Sequence, residues 1–272
     1  MKVNHNVIIT ALLLVSLDVN AALSTSTQNT IKNYNTRVRE TVISADVDVT
    51  SVMHNKKAIE EYFTKPGVKL SEEGTTSETI ESRHEVTFTV QGDNFYMESR
   101  NFLGRKGAIK VVQQKRGDSS IFVETSQAGT VYSDDPEDAL TVHDLNVILP
   151  DATVNEEILS LPETKESDDQ IIITGKRTES VFKNDGDPCL LFKKSTNDGR
   201  IVWERSYSDH TVYKGVTLPQ VVVEKIYARN GNLFSTATYR ITYRDNATLD
   251  KRLQEPVTAP PGAAKQKPLL LR

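Results

Sequence analysis

Cysteine is almost absent. Cys189 is the only one among 272 residues, so no disulfide can form within the chain and its stability must come from a packed core. Cys189 stands in the apolar run Cys189-Leu190-Leu191-Phe192, where a lone thiol reads either as a small buried hydrophobe or as a reactive group. No cysteine follows the N-terminal apolar stretch to take an N-terminal lipid.

Long apolar runs are also missing. The stretch from Val7 to Leu17 is roughly eleven residues, against the ~20 a helix needs to cross a bilayer. With Lys2 before it and Val19-Asn20-Ala21 after it, the segment has the form of a secretory signal peptide, with residues 1–21 removed and no transmembrane anchor left in the mature chain. Removing 21 of the 272 residues leaves 251 and takes one charge of each sign, so the net charge stays at −4. The expected location is the periplasm or the medium outside the cell.

Motifs for metal and nucleophilic chemistry are lacking as well. His54, His84, His143 and His210 follow the leader without a His-x-x-x-His or Cys-x-x-Cys spacing. The acidic pairs Asp134-Asp135 and Asp168-Asp169, and Asp185 with Asp187, do not continue into a calcium loop and read as turn and cap residues. No serine occupies a Gly-x-Ser-x-Gly elbow, although a triad of distant residues is defined by geometry and not by spacing. No cofactor and no catalytic residue is expected. The charged residues, 26% of the chain, are dispersed with both signs mixed, which excludes a basic footprint for nucleic acid. Asn246-Ala247-Thr248 fits the N-glycosylation pattern, a short pattern that also arises by chance.

What is present is strand periodicity. After a helix expected from Thr27 to Glu40, with Ile31, Tyr34, Val38 and Val42 at three- and four-residue steps, the segment Val42 to Met53 alternates as a half-buried strand. A second short helix is expected over Lys56 to Lys65. Two hairpins follow, Arg83 to Met97 turning at Gly92-Asp93 and Ala108 to Thr125 turning at Gly117-Asp118, then a short strand at Thr130 to Tyr132. Pro136 to Leu161 reads as one or two helices broken near Pro150, with Thr153 and Glu156 at capping-box spacing.

The second half returns to strands: Gln170 to Phe182, Cys189 to Lys194, Ile201 to Tyr207, Gln220 to Arg229 and Leu233 to Arg244. Between them, Asn184-Asp185-Gly186, Asn197-Asp198-Gly199 and Asn230-Gly231 supply the residues of tight turns. In the third of these strands, Trp203 is expected inward with Ile201, while Glu204 and Ser206 face out. The expected fold is therefore mainly β with some α: a curved antiparallel sheet forming an incomplete barrel, covered by short helices. Residues 22–253 form one domain, and the Pro-rich 254–272 a flexible tail.

Large apolar residues recur on or beside successive strands and in the helical insertion. Phe88, Phe95, Met97, Phe122, Leu140, Leu145, Ile148, Leu191 and Trp203 are the candidate ligand-binding residues, if the concave face holds an apolar pocket; otherwise they form a packed core. The insertion reads equally as a movable lid and as a permanently docked helix pair.

The order of these elements resembles the outer-membrane lipoprotein carrier and sorting family, the LolA and LolB type. The closest local likeness is Gly215-Val216-Thr217-Leu218-Pro219, then the valine-rich strand, Asn230-Gly231 and Tyr239-Arg240-Ile241-Thr242-Tyr243 before Asn246; Asp93-Asn94-Phe95-Tyr96 and Gly129 to Tyr132 are looser matches. The resemblance implies a half barrel with a helical lid that carries an acyl chain, a lipid or a lipidated protein, within outer-membrane biogenesis. No position matches the family's lid-locking arginine, and Arg83 and Arg100 read as ordinary strand-end residues. The alternative is a module that binds an envelope protein on the same fold without carrying lipid.

Overall fold

The computed structural model describes residues 25–54, 79–102, 108–135, 143–149, 163–167 and 169–266. The chain begins with α1 (Thr25–Glu40), in which Ile31, Tyr34 and Val38 are buried on one face. Six strands follow: β1 (Ile43–His54), β2 (Thr79–Gln91), β3 (Asn94–Phe102), β4 (Ala108–Arg116), β5 (Ser119–Ser126) and β6 (Gly129–Ser133). After the short α2 (His143–Ile148) come β7 (Glu163–Glu166), β8 (Gln170–Thr174), β9 (Thr178–Lys183), β10 (Leu190–Asn197), β11 (Arg200–Tyr213), β12 (Val216–Tyr227) and β13 (Leu233–Tyr243), then α3 (Ala247–Arg252) and β14 (Ala264–Lys265).

The described strands form one sheet in the order β14-β6-β5-β4-β3-β2-β1-β13-β12-β11-β10-β9-β8-β7. The first and last strands of that order do not pair, so the sheet stays open. Its curvature follows from α1. Thr27, near the start of α1, donates a hydrogen bond to Glu166 of β7 at 2.7 Å, and the carbonyl of Arg39, near its end, accepts one from the Gly92 amide between β2 and β3 at 2.7 Å. Those two α1 residues are about 18 Å apart along a helix. In a flat sheet β2 and β7, eight steps apart in the order, would be separated by about 38 Å. The sheet must therefore curl around α1.

Alternation assigns each side chain to a face. Val47 of β1 is paired with Val86 of β2 and Ile241 of β13, and the row through Val49, Tyr239, Val222 and Tyr207 continues across β12 and β11. These inward residues form one buried cluster with α1 and α2. The β2–β3 turn also caps α1: Gln91 donates from its amide to the Glu40 carbonyl at 2.9 Å, satisfying orphan acceptors of the last turn. Gly92 has φ +58, the left-handed conformation that this close approach requires. At the β10–β11 hairpin, Asp198 and Gly199 both take positive φ, as a primed two-residue turn demands.

Several expectations need correction. The segment Gln170 to Phe182 is two strands, β8 and β9, because the chain reverses over residues 175–177. Strand β7 carries only charged and polar side chains and gave no apolar alternation to read. Ile201 does not share the inward face with Trp203: the register shifts between Ser195 and Thr196 of the partner strand, and Ile201 is 39% exposed. Asn246 acts as the N-cap of α3, its side chain accepting from the Leu249 amide at 3.1 Å.

The segment after residue 253 also differs from a free tail as far as residue 266. Leu253 is buried, Gln114 donates to the carbonyls of Arg252 and Glu255 at 2.9 and 3.2 Å, and Arg116 donates to that of Gln254. The strap crosses the outer face and ends as β14, parallel to β6, with Lys265 on Asp134 at 2.7 Å. Its anchors are mainly backbone groups and charged side chains, which composition reads as solvated. The expected helix over Lys56 to Lys65, Leu140 and most of the insertion from Pro136 to Leu161 lie outside the described residues.

Candidate functional site

The site lies on the concave face, beneath α2. That helix has six residues, too few for independent stability, and it is held by its surroundings. Leu145, Val147, Ile148 and Leu149 are all buried in the main cluster. Between this helix, α1 and strands β10 to β12 a small apolar void of about 10 Å³ remains, lined by Tyr34, Val38, Ile148, Leu149, Leu190, Tyr207, Leu218 and Pro219.

Two polar contacts fasten α2 to the sheet. His84 Nε2 stands 3.4 Å from Asp144, and the Tyr239 phenol lies within the field of the same carboxylate. His84 and Tyr239 flank Val49 in one register row, so the two residues converge on Asp144 from neighbouring sides. Burial first, and then the Asp144 carboxylate, push the Tyr239 phenol well above its ordinary range, keeping it neutral.

The second contact comes from Arg205 of β11. Its Nη1 donates to the Asn146 carbonyl of α2 at 3.0 Å, while Nε and Nη2 both lie 2.8 Å from Glu224 Oε1. The guanidinium is 4.1 Å from the Trp203 ring centre, which supports its plane. Both members of the pair are buried, with side-chain exposures of 9% and 2%. A buried charge is tolerated only when its hydrogen bonds are met; here Glu224 meets two and α2 a third.

Among the sequence candidates, Phe88, Phe95, Met97, Leu145 and Ile148 fall in one buried cluster. Phe122 is buried on the same concave face, opposite Gln113 of β4, but outside that cluster. Trp203 is half-buried beside Arg205, Leu191 is half-buried at the irregularity between Leu190 and Phe192, and Leu140 lies outside the described residues. The residues around the void other than Ile148, and the pair Arg205 with Glu224, were not anticipated. Arg205 had a readable signal: it stands between Trp203 and Tyr207 at inward positions of an alternating strand. A separate open cleft of about 580 Å³ beside Arg39, Asp93, Lys115 and Asp118 has mixed charge and selects no ligand class. Among the described residues no cluster of His, Cys, Asp and Glu could hold a metal ion, and no helix is long and apolar enough to cross a membrane.

No family model and no curated protein matches the chain. Its fold is similar to that of two crystal structures. One is a DUF1329 family protein from Desulfovibrio piger, at 11% identity over 82% of this chain and 92% of that one, with a TM-score of 0.48. The other is a LolA superfamily protein from Nitrosomonas europaea, at 11% identity over 86% and 99%, with a TM-score of 0.46.

Proposed function

We propose that this protein is an exported, non-enzymatic carrier that takes an acyl chain, from a lipid or a lipidated protein, between its concave sheet and α2. The observation that carries this reading is the anchorage of α2: a six-residue helix that, among the described residues, is held on the sheet by the buried side chains of Leu145, Val147, Ile148 and the following Leu149 and by contacts from His84, Tyr239 and Arg205. An acyl chain offers the sheet the same kind of contact.

Among the described residues the void beneath α2 is about 10 Å³, far below a ligand's volume, so a chain that enters there displaces α2. Four buried aliphatic side chains contribute about 6–12 kcal/mol, at ~1.5–3 kcal/mol each. An acyl chain gains ~0.8 kcal/mol per buried methylene, so about eight methylenes only reach the lower figure and about fifteen reach the upper. Binding should therefore rise steeply with chain length.

A module that binds an envelope protein is the second reading, favoured by the small void. Against it, the large apolar side chains exposed among the described residues, Ile201, Val202 and Val212, sit towards opposite ends of β11. That separation is about 34 Å, too far for one contiguous patch. Displacement of a fluorescent fatty acid by unlabelled acids of increasing length tests the carrier. Saturable binding that appears only for long chains supports it, and absence of saturable uptake at every length removes it.

A further inference from the structure

We propose that the acyl ligand is a free long-chain fatty acid, whose carboxylate takes the place of the Asn146 carbonyl on Arg205. The inference rests on the acyl-binding reading above and adds the chemistry of the head group.

The void and the guanidinium belong to one site. Tyr207 lines the void, and Arg205 lies two residues before it on the same face of β11, about 7 Å along the strand. Arg205 and the void's Ile148 and Leu149 also meet the same helix, since Asn146 is the residue that Arg205 holds. When α2 moves aside to admit a chain, Nη1 loses its acceptor. A buried guanidinium with an unmet donor is costly, so the open state needs an acceptor at that position. A ligand carboxylate supplies one, with the charge-assisted geometry that guanidinium groups favour.

In register across the sheet stand Lys193 of β10, Arg205 of β11 and Glu224 of β12, all buried. Arg205 remains tied to Glu224 through Nε and Nη2 and supported by Trp203, so the guanidinium is held in place while its third donor changes partner. An ester or alcohol of the same chain length gains the apolar contacts but brings no charge to Nη1.

The test compares binding of palmitate and methyl palmitate to the full-length protein. The wild type should bind the acid at least ten-fold more tightly than the ester. Arg205→Gln alone would strand Glu224 in the interior, so the informative variant is Arg205→Gln with Glu224→Gln, which removes both charges. It should lose the preference, binding acid and ester with equal affinity. Equal affinity of the wild type for acid and ester overturns the head-group assignment without needing any variant, and leaves the acyl-binding reading standing. A preference retained in the folded double variant also overturns it. If neither amphiphile binds, the acyl-binding reading itself falls.

Discussion

Arg37 of α1 and Asp187 of the β9–β10 connection form an ion pair across 150 residues of chain, with Thr217 of β12 donating to the same carboxylate. Burial pushes the Asp187 carboxyl up, but the hydrogen bonds from Thr217 and Arg37 outweigh it and hold it below the ordinary carboxylate range. A carboxylate so lowered contributes stability that is present above about pH 4 and lost as pH falls through its folded-state value. Asp187→Ala should destabilise the protein by about 1 kcal/mol at pH 7, as befits a half-exposed pair. Urea unfolding at pH 7 and pH 3 checks this: the gap between variant and wild type should shrink at the lower pH.

Cys189 is buried, and burial first, with Asp185 adding to it and Lys183 opposing, pushes its thiol up to about 11. The thiolate is the reactive form, so a raised value means a slow thiol at neutral pH. An aromatic disulfide reagent at pH 8 should label native protein far more slowly than protein unfolded in urea. Equal rates would show that the thiol is accessible and ionised in the folded state.

Leu253 lies on the strap that crosses the outer face, and it is 8% exposed. Leu253→Ala should cost about 2–3 kcal/mol, the lower part of the range for core leucines. A substitution in a free tail should change stability by less than about 0.5 kcal/mol. Denaturant midpoints separate the two.

The strands were legible where one face is wet and the other buried. β1 and β13 show this, with Val47 and Val49 opposite Ile241 and Tyr239. α1 was legible because Ile31, Tyr34 and Val38 keep helical spacing. β7 was not, since Glu163-Thr164-Lys165-Glu166 has no apolar residue to alternate. α3 was not, because its start depends on the Asn246 cap and its residues expose charge. Trp203 could be assigned a face, but the register shift that turns Ile201 outward lies in the pairing with Ser195 and Thr196. The apolar half of the site was partly readable, as Leu145 and Ile148 were candidates. The Arg205–Glu224 pair needs the adjacency of β11 and β12 and the position of α2, and neither residue signals the other locally.

On the acyl-carrier reading, ligand uptake displaces α2. Amide hydrogen exchange over residues 143–149, with and without bound palmitate, tests it most directly. Altered exchange is expected, with the amides of α2 losing protection when the chain occupies their place on the sheet. Unchanged protection in a sample whose palmitate is demonstrably bound would contradict it.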